Sequence, residues 1–164
     1  MQMEQIFKPL KYIGYAILME EVPNEISLGF NISGCRHRCK SCHSPFLWED
    51  KGEWLSPNFL PIVEQYENFI SCICFLGGDH NLNELLSLCY VAKDKGLKTC
   101  IYSGCESIDI FQLFINEQAL DYLKVGAYRA ELGPLNNKNT NQRFYQITNR
   151  QFHDITFMFQ QKYI

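Results

Sequence analysis

Residues 25–33, EISLGFNIS, alternate apolar and polar positions. Ile26, Leu28, Phe30 and Ile32 share one face, and Ser27, Gly29, Asn31 and Ser33 the other, which predicts a half-buried strand. The next segment changes period. Phe59, Ile62, Val63 and Tyr66 recur at helical spacing after Ser56-Pro57, a pair suited to an N-cap with proline at the first helical position, while Pro61 moves the expected start a few residues later. ISCICFL (70–76) is a short apolar run closed by Gly77-Gly78, the pattern of a buried strand. Asn81 followed by Glu84 has the form of a capping box. Leu82, Leu85, Leu86, Cys89 and Ala92 supply that helix's apolar stripe, and Gly96 its stop. LKTCIYS (97–103) predicts a strand, SIDIFQLFIN (107–116) a helix and DYLKVG (121–126) a strand. After the polar stretch 133–143, ITFMF (155–159) predicts a last strand.

Strands and helices in alternation imply an α/β fold, a mainly parallel sheet with crossover helices. In such folds the carboxyl ends of the strands form one rim, where ligands bind. Four stretches fall just after predicted strands: Cys35 to Cys42, Gly77 to Asp79, Ser103-Gly104 and Lys124 to Gly126. A complete eight-unit barrel takes about 250 residues. The 164 residues here, read as one domain over 1–164, suffice for about half of one, a truncated (partial) TIM-type (β/α) barrel with one side of the rim open.

Composition adds little to that picture and removes several alternatives. The chain is 46% apolar and 20% charged with a net charge of −3, which fits a packed core and gives no electrostatic footprint for nucleic acid. Lys8, Pro9, Lys11 and Glu20 interrupt the N-terminal apolar residues, unlike a secretory signal, and no apolar run reaches the roughly 18 residues of a membrane span. The expected location is cytoplasmic. Eight cysteines in that setting point to metal binding, catalysis or burial rather than disulfides.

Three of those cysteines, Cys35, Cys39 and Cys42, stand in GCRHRCKSCH (34–43). Thiolates select zinc, copper(I) or iron–sulfur clusters. A structural zinc site needs a fourth ligand. Within the loop only His37 and His43 qualify, and Cys72 and Cys74 would have to fold back from another strand. A four-iron cluster held by three cysteines keeps one iron open for something else, and short intervals suit a compact cluster. The dense basic run Arg36, His37, Arg38 and Lys40 reads most simply as a solvated loop; alternatively it offsets the cluster's negative charge. Cys72, Cys74, Cys89 and Cys100 read as buried small hydrophobes, and Cys105 follows a rim glycine.

CRHRCKSC, a C-x3-C-x2-C pattern, resembles the signature of the radical S-adenosylmethionine enzymes, and LGGDH (76–80) is similar to their glycine-rich turn. More narrowly, GCRHRCKSCHSPFLW, FLGGD and KVGAYRAELGPLNNKNTNQRFYQI (124–147) resemble the activating proteins of anaerobic (class III) ribonucleoside-triphosphate reductases. The resemblance implies a [4Fe–4S] cluster with three Cys ligands and one open iron, which S-adenosylmethionine chelates. It also implies reductive cleavage of that cofactor to a 5′-deoxyadenosyl radical, and formation of a glycyl radical in the reductase large subunit. An external one-electron donor such as a flavodoxin or ferredoxin would drive it.

The resemblance gives Gly77 and Gly78 close approach to the ligand, Asp79 the methionine ammonium, Ser103 a polar contact and Lys124 the methionine carboxylate. Ser41 and His43 flank Cys42 in the chain and so would lie close to the bound ligand. The plainer readings of the same residues are a tight turn, a helix cap, a turn serine and a snorkelling surface lysine. Two other functions stay compatible with the sequence: a radical enzyme acting on another glycyl-radical enzyme or on a peptide, and a non-enzymatic zinc-binding interaction module.

Overall fold

The structure, a computed structural model, describes residues 8–161. Its elements follow in the order β1 (Lys11–Leu18), β2 (Ser27–Ile32), β3 (Glu53–Trp54), α1 (Leu55–Tyr66), β4 (Cys72–Leu76), α2 (Leu82–Asp94), β5 (Lys98–Tyr102), α3 (Gln112–Asn116), β6 (Tyr122–Val125), β7 (Arg143–Thr148) and β8 (Gln151–Asp154). The strands form one sheet in the order β3-β1-β2-β4-β5-β6-β7-β8. Strands β2, β4, β5 and β6 are parallel neighbours at its centre. The pairs β3-β1, β1-β2, β6-β7 and β7-β8 are antiparallel. Helical crossovers require the parallel centre; the antiparallel flanks carry no such signature. Their apolar alternation is weak because much of β1 and β8 is exposed.

Alternation along the central strands divides two cores. Leu28, Phe30, Ile32, Ile73, Phe75, Ile101, Leu123 and Val125 meet the buried faces of α1, α2 and α3 in one cluster. Cys72, Cys74, Cys100, Tyr122 and Phe144 form a smaller cluster, closed by Val22 and Leu135 from loops. All three helices therefore lie on one face of the sheet. Covering the second face with loops explains a correction at β2. Ser27 within it and Ser33 just beyond its end are as buried as Leu28 and Phe30. A Cβ on Gly29 would meet Leu18 Cδ1 at 2.2 Å. Ile26, expected among the buried residues, is 40% exposed.

Three boundaries also differ from expectation. Helix α1 starts at Leu55 behind Trp54 and carries Pro61 inside it. Residues 107–116 form a 3-10 turn at Asp109–Phe111 and only then α3. The stretch 155–159 is not a strand, because Thr156–Phe159 is a 3-10 turn that seats Phe159 on Phe144. The capping box is present: Asn81 Oδ1 accepts from Glu84 N–H at 3.2 Å. No helix is long and apolar enough to cross a membrane among the described residues.

Candidate metal centre

Parallel pairing of β2, β4, β5 and β6 puts the loops that follow them at one end of the sheet. The loop after β2 is anchored at its start. Gly34 N–H donates to Glu49 O (3.2 Å) and Cys35 N–H to Leu47 O (2.9 Å). It then curls on itself: Cys42 N–H donates to Cys39 O (3.1 Å), and Arg38 and Ser41 take left-handed φ values of 44° and 60°. Ser44 N–H donates to Cys42 Sγ at 3.3 Å. The result turns Cys35, Cys39 and Cys42, all half-buried, to a cavity of about 630 Å³.

The loop after β4 forms the facing wall. Gly77 and Gly78 have φ of 109° and 95°. A Cβ on Gly77 would stand 3.2 Å from Ile32 O, and one on Gly78 3.0 Å from both Ile32 Cδ1 and Leu85 Cδ2. Glycine is thus required twice over, by the backbone angle and by close packing on β2. Asp79 follows. It is not the cap of α2, which Asn81 provides. Its Oδ2 accepts from Ser103 Oγ at 2.5 Å and pairs with His37 Nε2 at 2.7 Å. Burial pushes the Asp79 pKa up, but hydrogen bonds from Ser103 and His37 outweigh it and hold the carboxyl below its ordinary range.

Lys124 is a correction to the surface reading. Only 9% exposed, it lines the cavity. Its Nζ donates to Gly126 O at 2.8 Å and to Ser103 O at 3.4 Å. Burial lowers its pKa to about 8. His43 lines the cavity with its ring 5.0 Å from that of Tyr128, whereas Ser41 is exposed and stands outside the lining. Arg36 and Arg38 also stand outside; they line a separate cleft with His80 and Trp48.

His37, between those two arginines, turns inward instead. Its ring lies over Gly104, where a Cβ would meet His37 Cγ at 2.6 Å. Cys105 joins the same corner, with Sγ 3.6 Å from Asp79 Oδ2. The sequence signal for His37 was its place between two thiols opposite an acidic rim residue. Three neighbouring cations hid it.

Among the described residues, the one group of three His, Cys, Asp or Glu donors lying within 4.8 Å of one another is His37, Asp79 and Cys105. Cys35, Cys39 and Cys42 face one cavity and are not such a group. Three thiols of one short loop facing one cavity suit a multi-iron cluster, whose ligands bind separate irons. Residues 26–153, more than three quarters of the chain, match a family described as the 4Fe-4S single cluster domain. The chain belongs to this family. A member of the 4Fe-4S single cluster domain family is an iron–sulfur protein. Cys72, Cys74, Cys89 and Cys100 are fully buried, and burial pushes the thiols of Cys72, Cys89 and Cys100 well above their ordinary range. No curated protein and no solved structure matches the chain.

Proposed function

We propose that this chain is a radical S-adenosylmethionine activase that generates the glycyl radical of an anaerobic ribonucleoside-triphosphate reductase, in a truncated (β/α) barrel. The observation that carries the reading is convergence. Three cysteines at C-x3-C-x2-C spacing from one loop, two left-handed glycines and the nearly enclosed Asp79 carboxylate from a second, and the buried Lys124 of β6 line one cavity.

Cys35, Cys39 and Cys42 would hold three irons of the cluster and leave the fourth for the cofactor's amino and carboxylate groups. When bound, the cluster supplies the single electron that cleaves the sulfonium bond. The protein's own part is placement. Gly77 and Gly78 expose backbone where any side chain would meet β2. Asp79 offers a carboxylate to the methionine ammonium, a charge-assisted contact, once His37 has moved off it. Lys124 sets a cation beside that carboxylate's wall, within 3.4 Å of Ser103 O, suited to the cofactor's carboxylate. The half-barrel's open side would admit a protein loop carrying the target glycine.

The test is to reconstitute the chain anaerobically and add reductant, S-adenosylmethionine and the reductase large subunit. About four irons and a glycyl radical in the electron paramagnetic resonance spectrum are expected. Cofactor cleavage without that radical would point to another glycyl-radical enzyme or a peptide as substrate. A colourless protein holding one zinc would sink the enzyme reading.

A further inference from the structure

We infer that His37, Asp79 and Cys105 form a second metal site, for a divalent transition ion of the zinc type, in the corner beside the cysteine loop. Asp79 Oδ2 lies 2.7 Å from His37 Nε2 and 3.6 Å from Cys105 Sγ, and Cys105 Sγ lies 3.9 Å from His37 Nε2. A tetrahedral zinc ion, with bonds of about 2.0–2.1 Å to N or O and about 2.3 Å to S, spaces N and O ligands about 3.3 Å apart and sets sulfur about 3.6 Å from either. Both sulfur edges are therefore near their liganded lengths already. Only the His37–Asp79 edge must open, by about 0.6 Å, as a proton-mediated contact gives way to a metal-mediated one. The mixed imidazole, carboxylate and thiolate set is one that zinc accepts.

The donors come from three different loops, and each has its own support. His37 is seated on Gly104, which has no side chain to displace it. Ser103 Oγ donates to Asp79 Oδ2 at 2.5 Å and accepts Cys105 N–H at 3.0 Å, so one hydroxyl orients two of the three ligand residues. His37 and Asp79 line the cavity, so a fourth position faces open space, as in zinc sites with three protein ligands and one exchangeable ligand. On binding, the Cys105 thiol gives its proton to solvent, and the proton between His37 Nε2 and Asp79 leaves as well, to His37 Nδ1 by tautomerisation or to solvent.

One consequence rests on the proposed function. Asp79 cannot serve a metal ion and the methionine ammonium together, so the ion competes with S-adenosylmethionine. The experiment uses the full chain loaded with its cluster, dialysed anaerobically against zinc, with zinc and iron counted per chain. One zinc in addition to four irons is expected. Cys105→Ala and, independently, Gly104→Val should lose the zinc and keep the irons, and retained iron reports an intact fold. Zinc gained only as iron is lost, or unchanged in both variants, would overturn the site. S-adenosylmethionine affinity is then titrated. It should weaken about tenfold with zinc at about ten times its own dissociation constant, and Cys105→Ala should abolish that effect. Zinc bound through Cys105 with cofactor affinity unmoved would leave the metal site standing and remove the ammonium role from Asp79. Zinc bound where no cofactor binds at all would uphold the site and reject the activase reading.

Discussion

The carboxylate of Asp79 is already engaged, by His37 at 2.7 Å and by Ser103 at 2.5 Å. Under the proposed function, an incoming ammonium would exchange with the imidazole, while the Ser103 hydroxyl could stay. Asp79→Asn keeps the shape and removes the charge. The expected outcome is S-adenosylmethionine binding weakened by about 10- to 100-fold, the scale of one lost charge-assisted hydrogen bond, with iron content unchanged. Isothermal titration of the cluster-loaded protein checks both. Gly77 makes a different prediction. Alanine there meets the strain of φ 109° and a carbonyl oxygen at 3.2 Å, so Gly77→Ala should cost about 1–3 kcal/mol in urea unfolding. The cysteines, glycines and Asp79 were legible in the sequence because each sits immediately after an apolar strand. His37 was not, because along the chain nothing separates it from Arg36 and Arg38. Only the placement of β5 beside β4 brings Gly104 beneath its ring.

Elements were legible where one period dominates, as in β4, α2 and β5. They were less so where two faces are both buried or both wet. Strand β2 looked half-exposed because its second face is small and polar, yet that face is buried against loops and β1. The amino ends of the central strands are tied by a network that periodicity cannot reveal. Glu25 Oε1 accepts from Lys98 Nζ at 2.6 Å and from Tyr122 OH at 2.9 Å, joining the start of β2 to β5 and β6. Burial pushes the Glu25 pKa up, but hydrogen bonds from Lys98, Ser71 and Tyr122 bring it below its ordinary 4.5. The Glu25 hydrogen bond raises Lys98 above 10.5. The carboxylate therefore contributes stability above about pH 4.5, lost as pH falls through its depressed value. The ammonium contributes below 10.5, lost as pH rises through its raised one. Glu25→Gln should cost about 1–2 kcal/mol at pH 7 and progressively less below pH 4.5. Chemical denaturation across pH would read that convergence; a constant difference would show that charge is not the cause. In α1, Pro61 interrupts a helix whose surface at that point is exposed. Pro61→Ala should raise stability by about 1–2 kcal/mol, restoring a helical hydrogen bond against a more flexible unfolded chain.

The molecule keeps its fold and its chemistry on different sets of residues. The larger core lies between the sheet and the three helices, and none of its members is a cavity cysteine. The cavity is made by loops at the carboxyl ends of the strands, and its lining residues depend on the sheet for position far more than the sheet depends on them. A cluster held there by Cys35, Cys39 and Cys42, as proposed, would tie the loop of 34–44 to itself but crosslink no part of the helix-covered core. Cluster removal should therefore leave the domain folded. In hydrogen exchange, loss of protection is expected at 34–52, 77–80, 103–106 and 126–142. Strands β4 and β5, fully buried at Ile73, Cys74, Cys100 and Ile101, should stay protected near the global limit. The same measurement on Cys35→Ser/Cys39→Ser/Cys42→Ser should reproduce the cluster-free pattern, since those residues belong to neither hydrophobic cluster. Protection lost together from the loops and from β4 and β5 would mean that the cluster is part of the folding unit, as in small metal-dependent domains. In that case the triple variant would fail to fold at all.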